Sequence, residues 1–116
     1  MDIDTVFKAL ADPTRRQILD SLFETRGQTL NEICAHLSIR RQSVSKHLAL
    51  LEEANLVVTE WRGREKLHYL NPMPIQEIYE RWIAKYERSR LEALSDLKRT
   101  LESQNQNDQG QEYDER

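Results

Sequence analysis

Residues 37–54 read Leu-Ser-Ile-Arg-Arg-Gln-Ser-Val-Ser-Lys-His-Leu-Ala-Leu-Leu-Glu-Glu-Ala, and no other stretch restricts the fold as much. From Arg41 the spacing predicts a helix. Val44, Leu48 and Leu51 recur at intervals of four and three, so they share one apolar stripe of a helical period. Arg41, Gln42, Ser45, Lys46 and Ala49 fall on a second sector, about 120° away. An ordinary surface helix mixes charges of both signs on such a sector. Here Arg40, Arg41 and Lys46 stand at the start, and no carboxylate follows until Glu52 and Glu53. Cations at a helix N-terminus oppose the macrodipole, at a cost of about 0.3–1 kcal/mol each. A helix that keeps them has an anion to meet, and a DNA backbone around a helix in the major groove is the anion that fits.

The net charge of −3 argues against nucleic acid until its distribution is considered. Residues 102–116 hold five acids and one arginine, so the first 101 residues carry 16 cations against 15 anions. The positive charge is local, at Arg15/Arg16, Arg40/Arg41/Lys46 and Arg62/Arg64/Lys66, and local field governs phosphate binding. With 116 residues the chain makes one domain with a modest core. It has no apolar run long enough to cross a membrane, and Met-Asp-Ile-Asp does not read as a secretion signal. Cys34 is the single cysteine, so no intrachain disulfide forms and a reducing cytoplasm is expected.

The remaining chain surrounds this helix with short elements. A first helix is expected over 3–11, with Ile3, Val6, Phe7 and Leu10 on one side. Asp12-Pro13 then offers an N-cap and a first-position proline for a second helix, 13–25, whose apolar residues are Ile18, Leu19, Leu22 and Phe23 and which Gly27 ends. Thr29 and Glu32 form a capping box for a third helix, with Leu30, Ile33, Cys34 and Leu37 on its buried side. The turn 38–40 leads into the basic helix, which makes a helix-turn-helix. Asn55 suits a left-handed stop. Two strands, 56–62 and 65–71, follow around Gly63-Arg64, and this hairpin is a wing. After a break at Asn71-Pro72-Met73-Pro74, one long helix is expected from Ile75 to about Gln104. Its stripe (Ile75, Ile78, Tyr79, Trp82, Ile83, Tyr86, Leu91, Leu94, Leu97, Leu101) exceeds what a small core can cover, so a second subunit is expected on it. Residues 105–116 lack aliphatic side chains and are expected to be a disordered polar tail, leaving 1–104 as the folded domain. The fold class is therefore mostly α with a small β-hairpin: a winged helix-turn-helix with a long C-terminal dimerisation helix.

The order of elements resembles the ArsR family of bacterial winged-helix regulators. Three stretches carry the likeness: Phe7-Lys8-Ala9-Leu10-Ala11-Asp12-Pro13-Thr14-Arg15-Arg16-Gln17-Ile18-Leu19, Val44-Ser45-Lys46-His47-Leu48-Ala49-Leu50-Leu51, and the hairpin around Arg62-Gly63-Arg64. The resemblance implies a homodimeric DNA-binding repressor paired through its first and last helices, with Ile3, Val6, Phe7, Ile78, Trp82, Tyr86, Leu94 and Leu97 at the interface. It is nearest to the branch without metal sites. Metal-sensing members place a Cys-x-Cys pair where this chain has Thr29 and Asn31, and its last helix holds neither His nor Cys. Family members also usually have Ser or a similar cap where Arg40 stands.

Within this frame Arg41 and Gln42 have the geometry to pair with guanine and adenine edges, and Ser43 and Ser45 are small enough to let the backbone approach. Lys46 suits a phosphate. His47 is either a hydrogen-bonded half-core residue or a phosphate contact. Arg62, Arg64 and Lys66 either blunt an exposed strand edge or touch DNA backbone and minor groove, and Arg15 either reaches phosphate or forms a surface ion pair. Cys34 and His36, two apart, do not share a helix face, so Cys34 reads as a small buried hydrophobe and no metal site is expected. No catalytic constellation or phosphate loop is present, and neither enzyme activity nor a cofactor is indicated. The expected partners are a double-stranded DNA operator and a second copy of the chain, with no membrane. The competing readings are a winged-helix protein-interaction module and a redox-responsive regulator built on Cys34.

Overall fold

The structure, a computed structural model, describes residues 2–107. Its first three helices begin where local chemistry offers a cap. Asp2 accepts the Asp4 amide at 3.1 Å and the Thr5 hydroxyl at 2.9 Å at the start of α1 (Ile3–Leu10). Asp12 accepts the Arg15 amide at 3.1 Å and opens α2 (Pro13–Glu24), with Pro13 in the first turn. The capping box forms in full at α3 (Leu30–Leu37): Thr29 Oγ1 accepts from Glu32 N at 3.2 Å, and Glu32 Oε1 from Thr29 N at 2.8 Å. The basic helix is α4, Arg41–Glu53, starting where the spacing predicts.

Two of the helices stop at a left-handed residue, whereas α2 ends in extended backbone at Thr25, ahead of the expected stop at Gly27. Asn55 has φ 61°, with Asn55 N bonded to Glu52 O at 3.0 Å and Leu56 N to Leu51 O at 2.9 Å, a Schellman end to α4. α3 ends in the same conformation at Ser38, φ 55°, and this bend sets α4 at an angle to α3. Composition gave no hint of it, because serine carries the steric cost of that conformation that glycine lacks.

Strands β1 (Val57–Arg62) and β2 (Glu65–Leu70) pair antiparallel, from Val57 opposite Leu70 to Arg62 opposite Glu65. Gly63 takes the first central position of the turn with φ 63°. A second, single-residue pairing joins Gln28 to His68, so the link between α2 and α3 lies along the other edge of β2. The core lies beneath these elements. It is made of Val6, Ala9, Ile18, Leu19, Leu22, Ile33, Val44, Leu48, Leu51, Ala54, Leu56 and Val57, with Cys34, Leu37 and Ile78 packed partly against it. Two expectations change here. Val6 is fully enclosed in this core and cannot face a second subunit. Phe23, on the α2 apolar list, is 73% exposed.

The expected break at 71–74 is shorter than the prolines suggest. Asn71 Oδ1 accepts the Met73 amide at 3.2 Å, and α5 (Met73–Ile78) starts there, because Pro74 in a first turn has no donor to lose. Contacts divide the chain into two units at Ile78/Tyr79. The second unit opens with a π-helical turn, Tyr79–Ile83, where a uniform helix was expected, and continues as α6, Ala84–Asn107. Tyr79 donates its phenol hydrogen to Glu87, and that bond raises the Tyr79 pKa. Helix occupies residues 105–107 of the expected tail, and the rest of that tail lies outside the described residues.

Candidate nucleic-acid interface

The three residues of the α4 stripe, Val44, Leu48 and Leu51, are buried, and this fixes which residues remain outside. Arg40, Arg41, Gln42, Ser45 and Lys46 are exposed, while Ser43 and His47 are half-buried. Arg40 occupies the N-cap position with extended φ and ψ but makes no side-chain cap bond. The helix still begins at Arg41, because Val44 N reaches Arg40 O at 3.0 Å. The absent cap therefore does not displace the start of the helix; it leaves the first amides of α4 without a side-chain acceptor.

A groove of about 710 Å³ runs between the start of α3, α4 and the hairpin. It gathers Arg41 and Ser45 from α4 with Arg64 and Lys66 from the wing. Gln42, Ser43, Lys46, His47 and Arg62 lie outside its lining, as does Arg15. Trp61, Thr29 and Asn31 also line the groove, and the sequence reading assigned them no contact. Trp61 is 65% exposed on β1. Its signal was present: an alternating strand puts every second residue on one face, and a large aromatic on a wing's open face has no core to fill.

The cations divide by what already holds them. Arg15 donates Nε to Ala9 O at 2.8 Å and Nη2 to Lys8 O at 2.9 Å, and its Nη1 lies 3.3 Å from His47 Nδ1. Arg16 donates to Leu10 O at 2.7 Å. Both therefore close the C-terminus of α1, where free carbonyls and the helix dipole attract a cation. The structure gives Arg15 a partner that neither sequence alternative named: its guanidinium caps α1 rather than pairing with a surface acid. His47 is the half-core residue of the two alternatives. A guanidinium only donates, so His47 Nδ1 accepts and the ring hydrogen sits on Nε2. Asp12 Oδ2 lies farther from that nitrogen, at 3.9 Å, beyond hydrogen-bond reach. The Asp12 pKa is lowered, chiefly by the Arg15 amide at the helix start.

Lys66 Nζ is 3.9 Å from Glu52, so it ties the wing to the end of α4 rather than standing at the hairpin tip. Arg62 leans 3.7 Å from Glu60 but is largely exposed. Arg41 donates to Asn31 on α3. Gln42, Lys46 and Arg64 make no side-chain hydrogen bond or ion pair with any described residue. The surface thus presents Gln42 and Lys46 on the helix and Arg64 at the hairpin tip without such partners, beside a groove lined by Arg41, Ser45 and Arg64. Cys34 is half-buried against the core and packs as the small hydrophobe expected. Among the described residues no group of three His, Cys, Asp or Glu is arranged to hold a metal ion.

Comparison with known proteins places this geometry. A family profile described as a helix-turn-helix domain matches residues 10–60. The chain is 41% identical over 86 residues to the HTH-type transcriptional regulator YuzN of Bacillus subtilis (strain 168), covering 69% of this chain and 94% of the relative. It is 36% identical over 75 residues to the transcriptional repressor SdpR of the same organism, covering 65% and 82% respectively. Among solved structures it is similar to an ArsR-like transcriptional regulator from Rhodococcus sp. RHA1, with TM-score 0.65 and 30% identity over 84% of this chain and 91% of that one.

Proposed function

This chain belongs to the ArsR family of winged helix-turn-helix DNA-binding transcriptional regulators, and on that premise we propose that it is a cytoplasmic, homodimeric repressor of its own operator. In this reading α4 lies in the major groove and the hairpin tip follows the adjoining backbone. The observation that carries it is the division among the cations. Arg15 and Arg16 are held by α1, whereas Lys46 and Arg64 are held by nothing among the described residues. Those two stand beside Gln42 at the start of the exposed helix and at the wing. The similarity to the repressor SdpR supports repression as the outcome of binding.

Two copies are needed for α6 as well. Ile83, Tyr86, Leu91, Leu94, Leu97 and Leu101 are each about half exposed or more on one helix. Contiguous apolar surface of this kind is covered in stable proteins, and a second copy covers it symmetrically. Pairing would also set two recognition helices on half-sites about one helical turn apart.

Lys46, Arg62 and Arg64 are positioning contacts to phosphate, and Arg41 and Gln42 read base edges. Titration of operator and random DNA at several salt concentrations tests the division. Arg64→Ala should weaken both DNAs alike and lower the salt slope by about one. Gln42→Ala should cost about 1–3 kcal/mol on the operator and little on random DNA. A Gln42→Ala protein that keeps its operator-to-random ratio, while Arg64→Ala loses it, would make the wing the reader.

A further inference from the structure

Two polar residues are buried among the described residues, Gln28 and His68, and they are bonded to each other. Gln28 is 1% exposed in the link between α2 and α3, and His68 is 4% exposed on β2. Burying a polar group is costly unless its bonds are made, and every polar group of Gln28 has a partner here. The Gln28 Nε2 donates to Ser21 O at 2.9 Å and Thr25 O at 3.0 Å, both carbonyls at the C-terminus of α2. Because that nitrogen faces two acceptors, Oε1 is the atom facing His36, and it accepts from His36 Nδ1 at 2.8 Å. The Gln28 main chain exchanges bonds with β2: His68 N reaches Gln28 O at 2.8 Å, and Gln28 N reaches His68 O at 3.2 Å. His68 Nδ1 lies 2.9 Å from the same Gln28 oxygen, which can only accept, so this ring also carries its hydrogen on Nδ1. One residue therefore holds α2, α3 and the wing strand together.

An apolar side chain of the same length would fill this space without the desolvation cost. What the polar cluster adds is direction, since its bonds are satisfied in one orientation. The direction it sets is that of the hairpin. His68 is four residues from Arg64 along β2, and the register from Val57 to Arg62 makes the hairpin a single ladder, so a rotation at His68 is carried to its tip. We propose that Gln28 is a positioning residue for DNA binding. Its side-chain and main-chain bonds hold the wing at the angle that lets Arg62 and Arg64 reach phosphate while α4 occupies the groove. The inference rests on the DNA-binding geometry proposed above and extends it to a buried residue that touches no DNA.

The test uses the full chain with Gln28→Met, which keeps length and removes every side-chain bond, and with His36→Ala, an exposed change that removes only the bond to Oε1. Operator affinity is measured against salt for each variant, alone and combined with Arg64→Ala or Gln42→Ala. Gln28→Met should lower the salt slope by about one to two, one unit for each wing arginine moved off phosphate. Arg64→Ala should then lower it no further, while Gln42→Ala keeps its full effect on the operator-to-random ratio. A loss of folded protein alone leaves the slope unchanged. An unchanged slope in Gln28→Met, or an Arg64→Ala effect of the same size in both backgrounds, overturns the inference. If Gln28→Met does not fold, His36→Ala decides by the same coupling to Arg64→Ala. If Arg64→Ala has no effect even in the unaltered protein, the wing reading itself has failed. Amide exchange without DNA then judges the anchor: faster exchange over 65–70 with α4 unchanged supports it, and equal exchange overturns it.

Discussion

The α1–α5 unit and α6 use leucine and isoleucine in opposite ways. In the first, Ile18, Leu22, Ile33, Leu51 and Leu56 are almost wholly enclosed, and each stripe finds a facing stripe within the same chain. In the second, Leu91, Leu94, Leu97 and Leu101 are 64%, 53%, 54% and 52% exposed, and Ala84 is the one hydrophobic residue buried. Periodicity alone does not distinguish the two, because both show apolar residues at intervals of three and four. Short helices joined by tight turns can fold back on one another. A 24-residue helix extends about 36 Å and outruns any core that its own chain supplies. In the reading proposed above, a second copy of the chain covers it.

The largest effect is expected in the closed core. Leu51→Ala should cost about 2–5 kcal/mol in urea unfolding, since it removes contacts and leaves a cavity. Leu101→Ala should leave unfolding near its original value at low protein concentration, within about 0.5 kcal/mol. Equal losses at every concentration would erase the contrast between the units. The next largest effect belongs to α6. Leu94→Asp places a charge in the proposed subunit interface and should shift sedimentation from dimer to monomer at micromolar concentration. Operator affinity should fall with it, because each half-site then binds alone. A variant that remains dimeric would place the interface elsewhere.

A smaller effect is expected at the caps that set up the first unit. Thr29→Ala removes the acceptor for the Glu32 amide and should lower stability by about 1 kcal/mol in a thermal or urea melt. The smallest effect is a pH dependence whose sign differs between the units. Asp2 and Asp12 have lowered pKa values, Asp2 chiefly through the Thr5 hydroxyl and Asp12 through the Arg15 amide. Their contribution is present above the unfolded value of 3.8 and is lost as pH falls from there through the lowered folded values. Asp12→Asn keeps a capping oxygen but removes the charge, so its melting temperature should lie below the parent's at neutral pH and the difference should shrink toward pH 3. Tyr79 in the second unit has its pKa raised above 10.0, so its contribution is present below pH 10.0 and is lost as pH rises through the folded value. Tyr79→Phe should flatten the alkaline limb of helicity measured by circular dichroism and leave the acid limb as it was.

What the amino-acid sequence determined by itself was whatever depends on neighbours a few positions away. The Asp12 cap with Pro13 behind it, the Thr29–Glu32 box, the left-handed stop at Asn55, the Gly63 turn and the buried stripe of α4 are all bonds or dihedrals within one turn of chain, and each is present. The acid-free start of α4 was legible in the same way, because a helix face is a local object. Tertiary structure decided which groups were already taken. Arg15 was one of several cations with a claim on phosphate in the sequence, and folding set its guanidinium against the end of α1 and His47, 32 residues away. Lys66 met Glu52, Val6 turned inward, and Gln28 found His68 across 40 residues. No spacing rule reaches across such intervals. A side chain that can hydrogen-bond has the same composition and the same local pattern whether its partner is water, DNA or a carbonyl brought close by folding, and only the packed chain chooses between them.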